Sequence, residues 1–283
     1  MSRLLTISCL QTGPSATFTE AHNDAITLAE KAMEKNPSVI CLPEYCGGLI
    51  SDKGRFVPPH AVEEEHPVLS SLKDFAKTHG VWIIIGSVAI TGDNGKFFNR
   101  SFLLDSKGDV KCRYDKVHLF DIDLADNTNT FKESATVQPG QQISVVETPF
   151  GSFGLSVCYD LRFAHIYREM SQKGAEILMV PAAFTKKTGE AHWHVLNRAR
   201  AIENGAFVIA PCASGPIKGG GESYGHSLVV DPWGKKLPDG AIGTGVITCQ
   251  INVDKVLETR EKIPSLQHDR DYSLEIIDID GEL

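Results

Sequence analysis

Ser152-Phe153-Gly154-Leu155-Ser156-Val157-Cys158-Tyr159-Asp160-Leu161-Arg162, with the polar stretch that runs on to Lys173-Gly174 and the run Ile177-Leu178-Met179-Val180, decides the fold class. The apolar runs at 152–157 and 177–180 read as buried strands. The segment between them, from about 162 to 173, reads as a helix that stops before Gly174. This is a strand, helix, strand unit, the building block of an α/β sheet. The same rhythm holds upstream: a strand at 4–10, a helix near 18–35, a strand at 39–42 and a helix at 69–77. Strands at 81–88 and 97–104 leave little room for a helix between them, and Ser106-Lys107-Gly108-Asp109 reads as a hairpin turn, so part of the sheet is antiparallel and the sheets are mixed.

Downstream, a second helix at 191–204 stops before Gly205, and strands are expected at 207–210, 227–230 and 246–251. Residues 115–140, rich in Asp, Asn, Thr and Lys, form a long connection of the kind usually kept for sites. No linker or low-complexity segment divides the chain. The expectation is one domain over 1–260, followed by a polar arm over 261–283 that packs on the domain or on a neighbouring subunit.

With 283 residues, 42% of them hydrophobic, the chain is long enough for one large core. A formal net charge of −8 argues against a nucleic-acid partner and requires that any anionic substrate be met by local cations. The apolar N-terminal run is too short to span a membrane and reads as the first strand. Seven cysteines without a Cys-x-x-Cys pair indicate neither a disulfide framework nor a zinc ribbon, and a reducing cytoplasm fits them.

In open α/β sheets ligands gather beyond the carboxyl ends of strands. Two reactive candidates fall there: Glu44, after Val39-Ile40-Cys41-Leu42-Pro43, and Cys158, which ends its strand just before a helix whose positive end would favour the thiolate. A cysteine nucleophile needs a base, and Glu44 can take the thiol proton and pass it to a leaving amine. A developing oxyanion needs a cation or N–H donors, which Lys116 and the backbone N–H of Tyr159 can supply. By position alone, Cys158 reads equally as a small buried hydrophobe, Glu44 as a turn residue and Lys116 as a solvated side chain.

Three separated blocks resemble the signatures of the nitrilase-like carbon-nitrogen hydrolase superfamily: Leu42-Pro43-Glu44, the run from Tyr114-Asp115-Lys116-Val117-His118 to Asp121, and the run from Gly154 to Phe163 around Cys158. The resemblance extends over nearly the whole chain, including Ala191-His192-Trp193 and Tyr224-Gly225-His226-Ser227. It implies a four-layer-forming α-β-β-α sandwich with mixed sheets, a Glu44–Lys116–Cys158 triad, no cofactor and no metal. It also implies a small-molecule amide substrate and a homodimer or higher homo-oligomer. Glu133 matches a second family glutamate that helps position the lysine and substrate.

Tyr159-Asp160 stands where nitrile-cleaving members often carry Trp-Glu, which places the chain with the amidases. The blocks at 224–227 and 231–234 resemble those of deaminated-glutathione amidases and omega-amidases, and an N-carbamoyl amino acid amidohydrolase shares the same triad. Phe184, Thr185 and Thr188 match the loop that borders the substrate pocket in such relatives, and Arg162 can pair with a substrate carboxylate. Asp115, Ala164-His165 and Asn197 depart from the common pattern and put the charge beside the pocket in question. A silent scaffold of the same fold and a thiol redox sensor are the readings from other classes. His192 and His194, two apart on a helix, point in different directions and read as structural. Gly219-Gly220-Gly221, with no Gly-Lys-Ser/Thr after it, reads as a turn.

Overall fold

The computed structural model describes residues 2–123 and 130–277; part of the polar connection (124–129) and the end of the expected arm (278–283) lie outside the described residues. Among the described residues, two six-stranded sheets face each other. The first contains β1 (Leu4–Gln11), β2 (Val39–Cys41), β3 (Trp82–Thr91), β4 (Phe97–Leu104) and β5 (Val110–Asp115), and closes on its far edge with β12 (Gly245–Asn252). The second contains β6 (Ser144–Thr148), β7 (Gly151–Leu155), β8 (Ile177–Met179), β9 (Phe207–Ala210), β10 (Leu228–Val230) and β11 (Lys236–Asp239). Each sheet has a parallel centre, β1-β2-β3 in one and β7-β8-β9 in the other, flanked by antiparallel strands.

The period of two explains the layering. Leu5, Ile7, Cys9, Val39, Cys41 and Ile84 join residues of the second sheet in one inter-sheet core. Their neighbours Leu10, Ile40, Leu42, Ile83 and Ile85 point the other way, onto α1 (Phe18–Met33) and α2 (Pro67–His79). The α1 helix starts at a capping box in which Thr17 accepts from the Glu20 N–H and Glu20 reaches back to the Thr17 N–H. On the other side, α3 (Ala164–Gln172) and α4 (His194–Asn204) cover the second sheet. The result is helix, sheet, sheet, helix.

Several elements differ from expectation for local reasons. The helix expected from 162 begins at Ala164, because a 3-10 turn, Cys158–Arg162, intervenes. The helix expected over 191–204 splits into a π-helical turn, Gly189–Trp193, and α4. A Cβ on Gly189 would sit 2.3 Å from the Tyr224 ring, so only glycine lets that turn lie against the ring. The polar connection is partly structured: Asp121–Asp123 pairs with Thr130–Lys132, and a 3-10 turn covers Glu133–Ala135. β11 and α5 (Lys255–Lys262) carried no clear apolar period; α5 buries only Val256. After α5 the chain packs on α3, where Arg168 and Gln172 bond Asp269 and the carbonyls of Ser265 and Leu266. No helix among the described residues is long and apolar enough to cross a membrane.

Candidate active site

β2 ends at Cys41 and the chain turns at Leu42-Pro43, which sets Glu44 beyond the carboxyl ends of the parallel strands. Tyr45 has φ +54°. This turn is held by Ser87, whose Oγ accepts the Tyr45 N–H at 2.9 Å and whose carbonyl accepts the Cys46 N–H at 3.0 Å. Ser87 is free to do so because the β3–β4 register shifts between Ile85 and Val88, a bulge that re-aims one residue. A Cβ on the neighbouring Gly86 would sit 2.1 Å from the Leu42 carbonyl and 2.5 Å from Pro181, so glycine is what lets the Glu44 turn meet the Pro181 loop of the other sheet.

Cys158 follows β7 in the same manner. Its φ is +51°, a left-handed conformation that costs a non-glycine residue roughly 1–3 kcal/mol and therefore needs external support. Pro181 accepts the Cys158 N–H at 2.9 Å. The fully buried Asp160 accepts from the Val157 N–H (2.9 Å) and Tyr114 hydroxyl (2.7 Å), and from both the His118 N–H (3.0 Å) and ring Nδ1 (2.8 Å). One carboxylate thus fastens the Cys158 turn to the segment that carries Lys116.

Between these turns lies a buried charge cluster. The Lys116 ammonium, 1% exposed, donates to Glu44 Oε1 at 2.9 Å and to Glu133 Oε2 at 2.8 Å. Asn99 Nδ2 donates to both carboxylates, at 2.9 Å to Glu44 and 3.2 Å to Glu133. The Ala183 N–H holds Glu44 Oε2 at 2.8 Å, while the Tyr45 hydroxyl (3.2 Å) and the Phe120 N–H (2.6 Å) hold Glu133. Burial opposes the Lys116 charge, yet the Glu133 and Glu44 carboxylates outweigh it and hold the ammonium well above its ordinary pKa.

Burial, reinforced by the Glu44 carboxylate, pushes the Cys158 thiol well above its ordinary value against the pull of Lys116. The cysteine sits on a tight 3-10 turn next to two carboxylates and one ammonium, which outweigh the pull of a helix terminus toward the thiolate.

A cavity opens over this cluster. Glu44, Lys116 and Cys158 form its floor, and Phe184, Thr185 and Thr188, the residues expected to border a pocket, line it together with Tyr45, Phe56, Phe120, Tyr159 and Ala183. Glu133 lies behind Lys116 and is fully buried. Arg162 stands outside the lining, with its guanidinium 5.7 Å from the Tyr159 ring centre and 5.5 Å from that of Phe184.

The three departures from the family pattern all point elsewhere. Asp115 pairs with Arg100 at 2.7 and 2.9 Å, Ala164 and His165 are exposed, and Asn197 donates to the Trp193 carbonyl one helical turn back. None of them charges the pocket. Asn99, Asp160 and Ser87 were missed; the available signal was a polar side chain inside an otherwise apolar strand or next to the reactive residue.

Comparison with known proteins agrees with this geometry. Residues 6–261 match the carbon-nitrogen hydrolase family model. A deaminated glutathione amidase of Yersinia enterocolitica is 39% identical over 75% of both chains, and an omega-amidase NIT2-B of Xenopus laevis is 34% identical over 89% of this chain and 91% of its own. The crystal structure of the C. elegans NitFhit protein superposes with a TM-score of 0.84 at 30% identity over 94% of this chain, which spans 65% of that longer protein. With its α-β-β-α sandwich and a family match over almost its full length, this chain belongs to the carbon-nitrogen hydrolases, as a hydrolase of amide carbon–nitrogen bonds.

Proposed function

We propose that Cys158 is the nucleophile, Glu44 the general base and acid, and Lys116 the oxyanion donor in hydrolysis of a small carboxylate-bearing amide. The observation that carries this reading is that Cys158 and Glu44, the latter 2.9 Å from the Lys116 ammonium, meet at the floor of one cavity. As Sγ attacks the carbonyl carbon, the thiol proton passes to Glu44 and the carbonyl π pair moves to oxygen, where Lys116 and the Tyr159 N–H stabilise it. Collapse breaks the C–N bond, and the amine leaves with the proton from Glu44. Water then gives a proton to Glu44 while its oxygen attacks the thioester; the second tetrahedral intermediate expels the thiolate, which takes the proton back. Glu133 and Asn99 position Lys116 and Glu44 through this cycle.

The substrate that fits best is deaminated glutathione or a close analogue. Ala183, which holds Glu44, also borders a second cleft that continues from the cavity past Thr185 to Lys186 and Glu222. An amine protonated by Glu44 leaves on that side, so the cleft suits a leaving group larger than ammonia. Arg162, on the rim, is a candidate for a substrate carboxylate. An omega-amidase or N-carbamoyl amino acid amidohydrolase would share the triad and differ in these contacts, and a silent scaffold would keep the fold without turnover.

Two measurements separate these readings. Intact-mass spectrometry with a slow amide substrate should show an acyl adduct that the Cys158→Ala variant lacks; a working enzyme with the same adduct on that variant refutes the nucleophile. Turnover of deaminated glutathione should exceed that of α-ketoglutaramate and of an N-carbamoyl amino acid, and the reverse order refutes the substrate.

The proposal extends to the chain's setting: a cytoplasmic enzyme with a hydrolase domain over 1–260 and an arm over 261–283, paired as a homodimer. Exposed Val195, Ile202 and Trp233 on and beside α4, and exposed Tyr272, Leu274, Ile276 and Ile277 in the arm, support the pairing. A single-chain mass in light scattering at working concentration overturns it.

A further inference from the structure

Away from the cavity, three residues from three different elements converge on one point. His194 opens α4 after the π-helical turn, His226 stands between the strands with φ +56°, and Asp239 ends β11. Asp239 Oδ2 meets His194 Nε2 at 2.9 Å, and Asp239 Oδ1 meets His226 Nδ1 at 2.9 Å. The three candidate ligand atoms all lie within 4.8 Å of one another. The two rings stand nearly perpendicular, with centres 5.2 Å apart, so both nitrogens face the carboxylate from different directions.

We propose that His194, His226 and Asp239 form a binding site for a transition-metal dication of the zinc class, separate from the catalytic cavity. Two imidazole nitrogens and one carboxylate oxygen are the donors that such an ion takes, at about 2.0–2.2 Å, with a fourth position left for water. Side-chain exposures of 31%, 23% and 17% leave that position open to solvent.

Asp239 is held in place from its other side as well, Oδ1 accepting the Ala241 N–H at 2.9 Å.

The site is backed by fixed groups. Tyr224 stacks on the His226 ring with centres 4.4 Å apart, and Trp193 Nε1 donates to the His226 carbonyl at 2.8 Å. A competitor is also built in: the Lys236 ammonium lies 2.9 Å from Asp239 Oδ2, on a side chain 45% exposed that is free to swing away. Metal and ammonium thus contend for one carboxylate, and no purely structural role of the histidines requires that contest.

The test is calorimetric titration of the full chain carrying Cys158→Ala, so that the cavity thiol is not a ligand, with Zn2+ and then with Co2+ as a spectroscopic probe. One Zn2+ per chain is expected, and bound Co2+ should show no thiolate charge-transfer band. His194→Gln and Asp239→Asn, each checked for folding by circular dichroism, should weaken binding roughly a hundredfold. Lys236→Met should tighten it about two- to fivefold, the worth of an exposed ammonium–carboxylate pair. Absence of saturable binding at about 100 µM Zn2+, a standard free energy weaker than roughly −5.5 kcal/mol, overturns the proposal. So does binding that survives both ligand substitutions, or a Lys236→Met variant that binds no better.

Discussion

The molecule holds two clusters of ionisable side chains that differ mainly in their access to water. Glu44, Lys116 and Glu133 are at most 3% exposed, whereas the side chains of His194, His226 and Asp239 keep 17–31% of their surface. In the first cluster each charge depends on its partners, because water cannot replace a lost hydrogen bond; removing one partner of a buried pair typically costs about 3–5 kcal/mol. In the second, water takes the place of a missing partner, and an exposed pair contributes about 0–1 kcal/mol. The buried cluster is therefore suited to holding a proton and an ammonium in one arrangement, and the half-exposed cluster to exchanging what it binds.

The largest expected effect lies at the buried cluster. Cys158→Ala should lower amide turnover by about 10^4-fold or more, read as amine release, with an unchanged circular dichroism spectrum. Residual activity within a factor of about ten of the parent would mean that another group attacks.

Next comes Glu133→Gln, which keeps the shape and removes one charge from Lys116. Stability in urea should fall by about 3–5 kcal/mol, and kcat should drop with little change in KM, since Glu133 lies behind the ammonium and not in the cavity. Should the variant be as stable as its parent, the contrast between the clusters is wrong at its root.

A third effect tests burial with pH. His66 caps α2, accepting the Leu69 N–H at 3.3 Å through Nδ1, while its buried Nε2 has no partner among the described residues. Burial pushes its pKa down from 6.5 to about 4. The unfolded chain therefore binds a proton that the folded chain refuses: the His66 contribution is complete above pH 6.5 and is lost as pH falls toward 4. The loss amounts to about 3 kcal/mol at most, at about 1.36 kcal/mol per unit. His66→Asn retains a capping acceptor and should flatten this part of the stability curve; an identical pH dependence in the two proteins speaks against the assignment.

The smallest effect belongs to the half-exposed cluster. Without metal, Lys236→Met should change unfolding free energy by less than about 1 kcal/mol, measured in the same urea titration, and a larger loss would place that pair with the buried one.

The α/β rhythm, the mixed sheets and the positions of Glu44 and Cys158 at strand ends were legible because apolar alternation and strand-end placement are local properties. Most strand and helix bounds agree to within a few residues. Elements without an apolar period, such as Lys236–Asp239 and Lys255–Lys262, were not legible, because their burial comes from what packs on them. The resemblance to the carbon-nitrogen hydrolases singled out Glu133, which lies in a polar loop with no periodicity of its own.

Asn99, Ser87 and Asp160 escaped because their roles exist only across the sheets: Asn99 lies on β4 yet bonds carboxylates 55 and 34 residues away. His194 reads as structural from its two-residue spacing to His192, and that spacing carries no information on the distant residues that His194 meets. His192 lies against Arg162, while His194 meets residues 32 and 45 positions further on.

The sequence by itself determined the layered α/β fold, the three reactive side chain types and their order along the chain, since period and residue chemistry are written locally. Only the tertiary structure decided that the Cys158 thiol is held above its ordinary pKa. Burial and the sum of nearby charges set a proton's free energy, and the two carboxylates and one ammonium around that thiol come from parts of the chain far apart until it folds.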